Sequence, residues 1–140
     1  MTATANTKKN ALSATMEDYL EAIYHLVNEH GAARSRMIVE RLGVHKSTVT
    51  TALQYLAEQG FVQYAPYQEI TLTKKGILEA RSVVRRHEIF YRLLHDLLEV
   101  EPREAETLAC EMEHSLPPEI VDRFAALVER AMQRKKQSRE

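Results

Sequence analysis

The stretch SRMIVERLGVHKSTVTTALQYLAEQG, residues 35–60, decides the fold. It holds two short apolar-periodic segments joined through Leu42-Gly43-Val44. In the first, Met37, Ile38 and Leu42 recur at helical spacing; in the second, Val49, Leu53 and Leu56 do the same. The glycine between them permits a tight turn, so the pair reads as a helix-turn-helix. The second helix carries His45, Lys46, Ser47, Thr48, Thr50, Thr51, Gln54 and Tyr55 on its outer face. Short hydroxyls, an amide and a cation suit phosphates and base edges. Small side chains near the helix start let it sink into a major groove roughly 12 Å wide. In isolation the same face is equally a surface helix rich in Ser and Thr. The segment behind Gly60 shifts the balance towards DNA.

After Gly60 the period changes from helix to strand: Phe61, Val62 and Tyr64, then Pro66 in a turn, then Ile70 and Leu72 alternating with Thr71 and Thr73. A hairpin directly behind the second helix is a wing. Its Gln63, Tyr67 and Gln68 are candidates for phosphate or minor-groove contact. The expected DNA-contacting residues are Arg36, His45, Lys46, Ser47, Thr48, Thr50, Thr51 and Gln54.

Working outward, a helix begins near Ser13 or Thr15, with Thr15 as a candidate N-cap ahead of Glu17 and Asp18, and ends at Gly31. Beyond the wing, Thr73 caps a long helix with Ile77, Val84, Ile89, Leu93, Leu94 and Leu97 as its apolar stripe. Pro102 opens the next helix, expected to run to Leu116. Pro117 and Pro118 then break the chain ahead of a final helix through Val121, Phe124, Leu127 and Val128. The fold class is mostly α: a winged helix-turn-helix followed by an α-helical domain. Residues 1–14 read as a disordered lead-in, 15–75 as the winged helix-turn-helix, 76–134 as the helical domain and 135–140 as a flexible tail, with the polar stretch from Gln133 expected to fray.

The 140 residues carry 44% hydrophobic and 28% charged side chains, an ordinary globular composition, and no run is apolar enough to span a bilayer. No apolar h-region marks a secretory signal. The single cysteine, Cys110, rules out an internal disulfide and suits a reducing cytoplasm. The net charge of −1 hides an asymmetry. Basic residues dominate from Arg34 to Arg86, while Glu99 to Asp122 is acidic with Arg103 alone opposing. One half suits phosphates and the other suits cations.

In that acidic half, Cys110, Glu113 and His114 stand at i, i+3 and i+4, so thiolate, carboxylate and imidazole share one helical face. Asp18 and Glu21 are again i and i+3 on the first helix, and His87 lies on the long helix. Each has a plain alternative: a buried cysteine is commonly a small core residue, paired carboxylates a solvated face, a helical histidine a hydrogen-bonded one. A regulator that senses an organic ligand or redox state through Cys110 would keep the DNA half and dispense with the metal. A metalloenzyme is disfavoured, since no general base or substrate cleft accompanies the cluster.

Met16-Glu17-Asp18-Tyr19-Leu20-Glu21-Ala22-Ile23-Tyr24, the helix-turn-helix and wing, Arg86-His87-Glu88, and Cys110-x-x-Glu113-His114 follow one another in this order. Together they resemble the diphtheria toxin repressor and manganese transport regulator family, from about Thr15 to Val128. The resemblance implies a metal-dependent repressor, not an enzyme, that acts as a homodimer on a palindromic DNA operator, with metal bound between the winged helix and the dimerisation helices. It implies neither a membrane partner nor a small organic substrate. Asp18, Glu21, His87, Glu113 and His114 match the manganese-type ligands. Cys110 replaces a carboxylate of that type and matches the iron type, which carries methionine where this chain has Asp18. The implied cofactor is Mn2+ or Fe2+, with Zn2+ or Co2+ able to substitute in vitro. At the ancillary site of iron-type members His87 is kept, whereas Tyr91 and Glu106 stand at altered positions. The SH3-like domain of longer members is expected to be absent.

Overall fold

The computed structural model describes residues 12–139. Most of the expected N-terminal lead-in lies outside them. Helix α1 (Ala14–His30) starts between the two expected positions, but Ser13, not Thr15, is the N-cap, and its hydroxyl accepts from the Met16 N–H at 3.2 Å. Ser13 is extended (φ −64°, ψ 158°), which lets its oxygen reach back over the first turn, whereas Thr15 is already helical. Helix α2 (Ser35–Leu42) stops at Gly43, whose φ of 65° lets its N–H close on the Val39 carbonyl at 2.9 Å. Helix α3 (Lys46–Glu58) begins after two further residues.

The wing is shorter than its apolar alternation suggested. Strand β1 (Val62–Gln63) pairs antiparallel with β2 (Thr71–Leu72), Val62 opposite Leu72 and Gln63 opposite Thr71. Pro66 lacks an N–H and Tyr67 takes a left-handed φ of 63°, so the ladder stops early on both sides of the turn. Ile70 bridges instead to Ala33, its N–H donating to that carbonyl at 2.8 Å. Leu20, Ile23, Ile38, Val49, Leu53, Leu56 and Ile70 are all fully buried in the core that joins these elements.

Helix α4 (Lys74–Tyr91) is capped by Thr73, whose hydroxyl accepts from the Gly76 N–H at 3.1 Å and donates to the Gly60 carbonyl. Its first turn presses on the wing so closely that a Cβ at Gly76 would lie 1.9 Å from the Phe61 carbonyl oxygen. Only a hydrogen fits there. The chain divides into two compact units, one ending at Arg81 and the other beginning at Ser82, within α4.

The second unit contains the rest of α4, a π-helical segment (Arg92–Leu97), α5 (Pro102–Met112) and α6 (Pro118–Ser138). Its interior is divided. Phe90 and Leu94 pack with Ala105 and Ala109, while Ile89 packs with Val121 and Val128. The rings of Phe90 and Phe124 meet edge to face at 5.5 Å. The expected stripe holds in part: Ile89, and Leu94 in the π-helical segment, are buried, while Ile77, Val84, Leu93 and Leu97 are only partly covered. The inner line of α4 instead takes in Gly76, Ala80, Val83 and Phe90, with His87 at the intervening helical position.

Helix α5 opens as expected, with Pro102 in the first turn and the Glu101 carboxylate accepting from the Glu104 N–H at 3.1 Å. It ends at Met112, not Leu116: Pro117 has no N–H to give the Glu113 carbonyl four residues back, and its ring would clash with that carbonyl in a continuing helix. Helix α6 runs on through the polar stretch expected to fray, so residues 135–138 are helical. Lys135 and Lys136 in its last turn complement the helix dipole, and the Lys135 ammonium donates to the Asp96 carbonyl. Leu127 is 52% exposed, since Val121, Phe124 and Val128 define the inner face one residue away from it. No described helix is long and apolar enough to cross a membrane.

Candidate metal centre

The end of α5 builds the cluster. Cys110 occupies the last helical turn, Glu113 is the C-cap with helical backbone angles (φ −63°, ψ −24°), and His114 comes next in a turn. The Glu113 N–H still reaches the Ala109 carbonyl at 3.0 Å. The i, i+3, i+4 spacing therefore keeps its geometry although the helix proper stops at Met112. One ligand atom from each of Cys110, Glu113 and His114 lies within 4.8 Å of the others.

Glu113 is fully buried, an unusual place for a carboxylate. Its Oε2 is 2.9 Å from His87 Nδ1. Its Oε1 has no hydrogen-bond partner among the described residues; His114 Nε2 stands 3.3 Å away without hydrogen-bonding geometry. A buried, half-satisfied carboxylate is costly unless a cation or donor completes it. Arg86 adds a brace, its guanidinium donating to the Glu113 main-chain carbonyl at 3.2 Å.

His87 reaches the cluster from α4. Its second nitrogen, Nε2, meets Glu106 Oε2 at 2.7 Å. The hydrogen bond to Glu113, with a smaller contribution from Glu106, outweighs burial and pushes the imidazole up to about 9. Thiolate, carboxylate and imidazole converging on an orphaned buried oxygen fit a first-row divalent cation. Asp18 and Glu21 stand one turn apart on α1 in the first unit, Asp18 half-buried and Glu21 with its Oε1 3.5 Å from His25 Nε2.

Two contacts here escape a reading of the sequence. There Glu106 is only an altered position, and Arg86 only a neighbour of His87. Each joins α4 to α5 or its cap across many residues, and nothing local announces such a bond.

The expected DNA-reading face is exposed. His45, Lys46, Ser47, Thr48, Thr51 and Gln54 all face solvent, and Thr50 is half-covered. Thr50 and Thr51 donate their hydroxyl protons to the carbonyls of Lys46 and Ser47, at 3.1 and 3.0 Å. Arg36 projects from α2 with 89% of its side chain exposed, 3.6 Å from Glu40. In the wing, Tyr67 is wholly exposed, while Gln63 accepts from the Thr71 hydroxyl at 3.2 Å. Arg34, Arg36, Lys46, Thr50, Tyr64 and Tyr67 line one groove between helix and wing. Arg34 and Tyr64 are additions to the expected set; basic and aromatic character beside a turn was the available signal.

A winged helix-turn-helix reading head followed by a helical unit with such a donor cluster defines a metal-responsive DNA-binding regulator. The iron dependent repressor N-terminal DNA-binding domain matches residues 11–70, and the iron dependent repressor metal binding and dimerisation domain matches residues 73–138. The chain belongs to this family, that of the diphtheria toxin repressor and manganese transport regulators, whose members are metal-dependent transcriptional regulators and not enzymes. It is 34% identical over 120 residues to an HTH-type transcriptional regulator of Methanocaldococcus jannaschii, covering 85% of this chain and 96% of that one. It is 36% identical over 115 residues to the HTH-type transcriptional regulator MntR of Bacillus velezensis, covering 82% of this chain and 80% of the relative. A manganese-dependent transcriptional repressor solved in complex with manganese superposes with a TM-score of 0.72 at 29% identity, over 81% of this chain. The chain covers 52% of that protein's length.

Proposed function

We propose that this chain is a dimeric repressor that grips a palindromic operator when Mn2+ or Fe2+ is bound, and so controls genes of metal homeostasis. The observation that carries the reading is the buried Glu113 carboxylate, one oxygen orphaned, with Cys110, His114 and His87 beside it. The proposed ligands are Asp18, Glu21, His87, Cys110, Glu113 and His114. Cys110 among other donors supports a ligand's role for the thiol over that of a solitary redox sensor, and a reducing cytoplasm would keep it available. The carboxylates favour Mn2+, the thiolate draws preference towards Fe2+, Co2+ or Zn2+, and the reading leans to Mn2+. Zn2+ would outrank both on raw affinity, so coordination and cellular supply set selectivity.

When bound, the cation supplies the charge that holds the carboxylates of α1 together with the donors of the second unit. The chain's own residues do the rest. Arg36, His45, Lys46, Ser47, Thr48, Thr50, Thr51 and Gln54 meet the duplex. The helical unit, proposed to span 76–134, pairs two copies so that the reading heads of 15–75 stand about one helical turn, or a multiple, apart. Ligand binding shifts the population towards that spacing only as far as it favours it. The usual scale of such coupling is about 5–150-fold in affinity.

The test uses a duplex selected from random DNA by the Mn2+-loaded protein. Fluorescence anisotropy is expected to show that loading tightens binding about 5–150-fold over the chelator-stripped protein. Glu113→Ala should abolish that difference while circular dichroism and sedimentation still report a folded dimer. Stripped wild type that binds as tightly as loaded protein overturns the proposal. Equal activation by Mn2+, Fe2+ and Zn2+ overturns metal selectivity alone.

A further inference from the structure

Glu106 lies outside the ligand set above, yet its carboxylate is seated on His87. Glu106 Oε2 is 2.7 Å from His87 Nε2, while His87 Nδ1 is 2.9 Å from Glu113 Oε2. The three side chains form a line, carboxylate to imidazole to carboxylate. Its inner end is wholly buried and its outer end is 60% exposed. The two ring nitrogens of an imidazole point away from one another, so Glu106 sits on the side of the ring opposite Glu113.

An imidazole that gives the Nδ1 lone pair to a cation carries its proton on Nε2. A carboxylate accepting from that N–H fixes both the tautomer and the plane of the ring. We propose that Glu106 is a positioning residue, which holds His87 with Nδ1 turned towards the cation site and the proton kept on Nε2. The inference rests on His87 being a metal ligand. Glu106 is one helical turn before Cys110 on α5. The helix that supplies the thiolate therefore also sets the angle of the histidine arriving from α4. Bonding the remote His87 to a restraint on the opposite helix keeps it aligned with the donors of α5 before the metal arrives.

The experiment is chelator competition for Mn2+ on the full chain, with no DNA present, for wild type, Glu106→Ala, Glu106→Gln and His87→Ala. Glu106→Ala is expected to weaken Mn2+ binding about 10–100-fold without changing the number of ions bound. Glu106→Gln, whose amide oxygen still accepts from Nε2–H, should stay close to wild type. In the Cd2+-loaded protein the His87 Nε2–H proton should give a slowly exchanging NMR signal, kept in Glu106→Gln and lost in Glu106→Ala. The exposed position of Glu106 leaves the core untouched by either change.

Wild-type affinity in Glu106→Ala, with His87→Ala weakened, overturns the role of Glu106 alone. Wild-type affinity in His87→Ala overturns it together with the ligand reading. Loss of one bound ion in Glu106→Gln makes Glu106 a ligand instead, and Glu106→Gln as weak as Glu106→Ala makes its charge the agent; both overturn the positioning role.

Discussion

In the unit ending at Arg81, Leu20, Ile23, Ile38, Leu53, Leu56 and Ile70 close on one another as one apolar cluster, and Glu17 on α1 is the buried charged side chain among its described residues, at 6% exposure. In the unit beginning at Ser82, the inner stripe of α4 is interrupted by His87, and Glu113 is buried outright beside two smaller apolar clusters. The first arrangement holds a helix-turn-helix rigid by apolar burial, which is what a reading head needs. The second leaves polar donors facing inward, so part of its stability is reserved for whatever completes them. One chain thus keeps an invariant tool beside an adjustable holder.

The sharpest way to break the comparison is to damage the rigid part. Gly76→Ala forces a methyl onto the Phe61 carbonyl, and the first turn of α4 must shift. A loss of roughly 1–3 kcal/mol is expected in urea unfolding, with DNA binding impaired whether or not metal is present. A variant as stable as wild type would show that the wing yields easily.

The adjustable part is tested through pH. His87 is raised from 6.5 to about 9 in the folded, metal-free protein, chiefly by the Glu113 hydrogen bond. Its folded form holds the proton more tightly than its unfolded form. The stabilisation is thus complete below pH 6.5 and lost as pH climbs through 9. In chelator-stripped protein the urea midpoint should fall across that window, and His87→Gln should flatten the fall. Metal binding must expel the same proton, so affinity for Mn2+ should weaken in acid.

Smaller effects sharpen the contrast. Lys46→Ala should lower the slope of log affinity against log salt by about one, with little change in sequence preference; an unchanged slope would take Lys46 off the phosphates. Tyr19 is buried with a hydroxyl that has no hydrogen-bond partner among the described residues, and burial pushes that phenol up. Tyr19→Phe should therefore be neutral or slightly stabilising by calorimetry, within about 0.5 kcal/mol.

The features legible in the sequence are local. Gly43 between two apolar periods announces the helix-turn-helix, and Cys110, Glu113 and His114 announce a shared face, because both signals span a few residues. The inner line of α4 departs in part from the expected stripe because the small Gly76 and Ala80 and the polar His87 hold inner positions, which shifts the buried face onto Val83 and Phe90. The π-helical turn is invisible as well. One added residue rotates the rest of the helix by roughly 100°, so Leu97 falls off the inner line that a 3.6-residue period assigns it. Ser13 displaces Thr15 through backbone angles that no composition encodes. The bond from Glu106 to His87 spans 19 residues and two helices, which no spacing rule reaches.

The bond from the Lys135 ammonium to the Asp96 carbonyl links two points 39 residues apart. The final turns of α6 are accordingly a clasp on the far end of the π-helical segment. Any affinity tag fused close behind Ser138 would tug on that clasp, and a cut just ahead of Lys135 would open it. Trimming the polar stretch for tidiness would slacken the helix that presents His87.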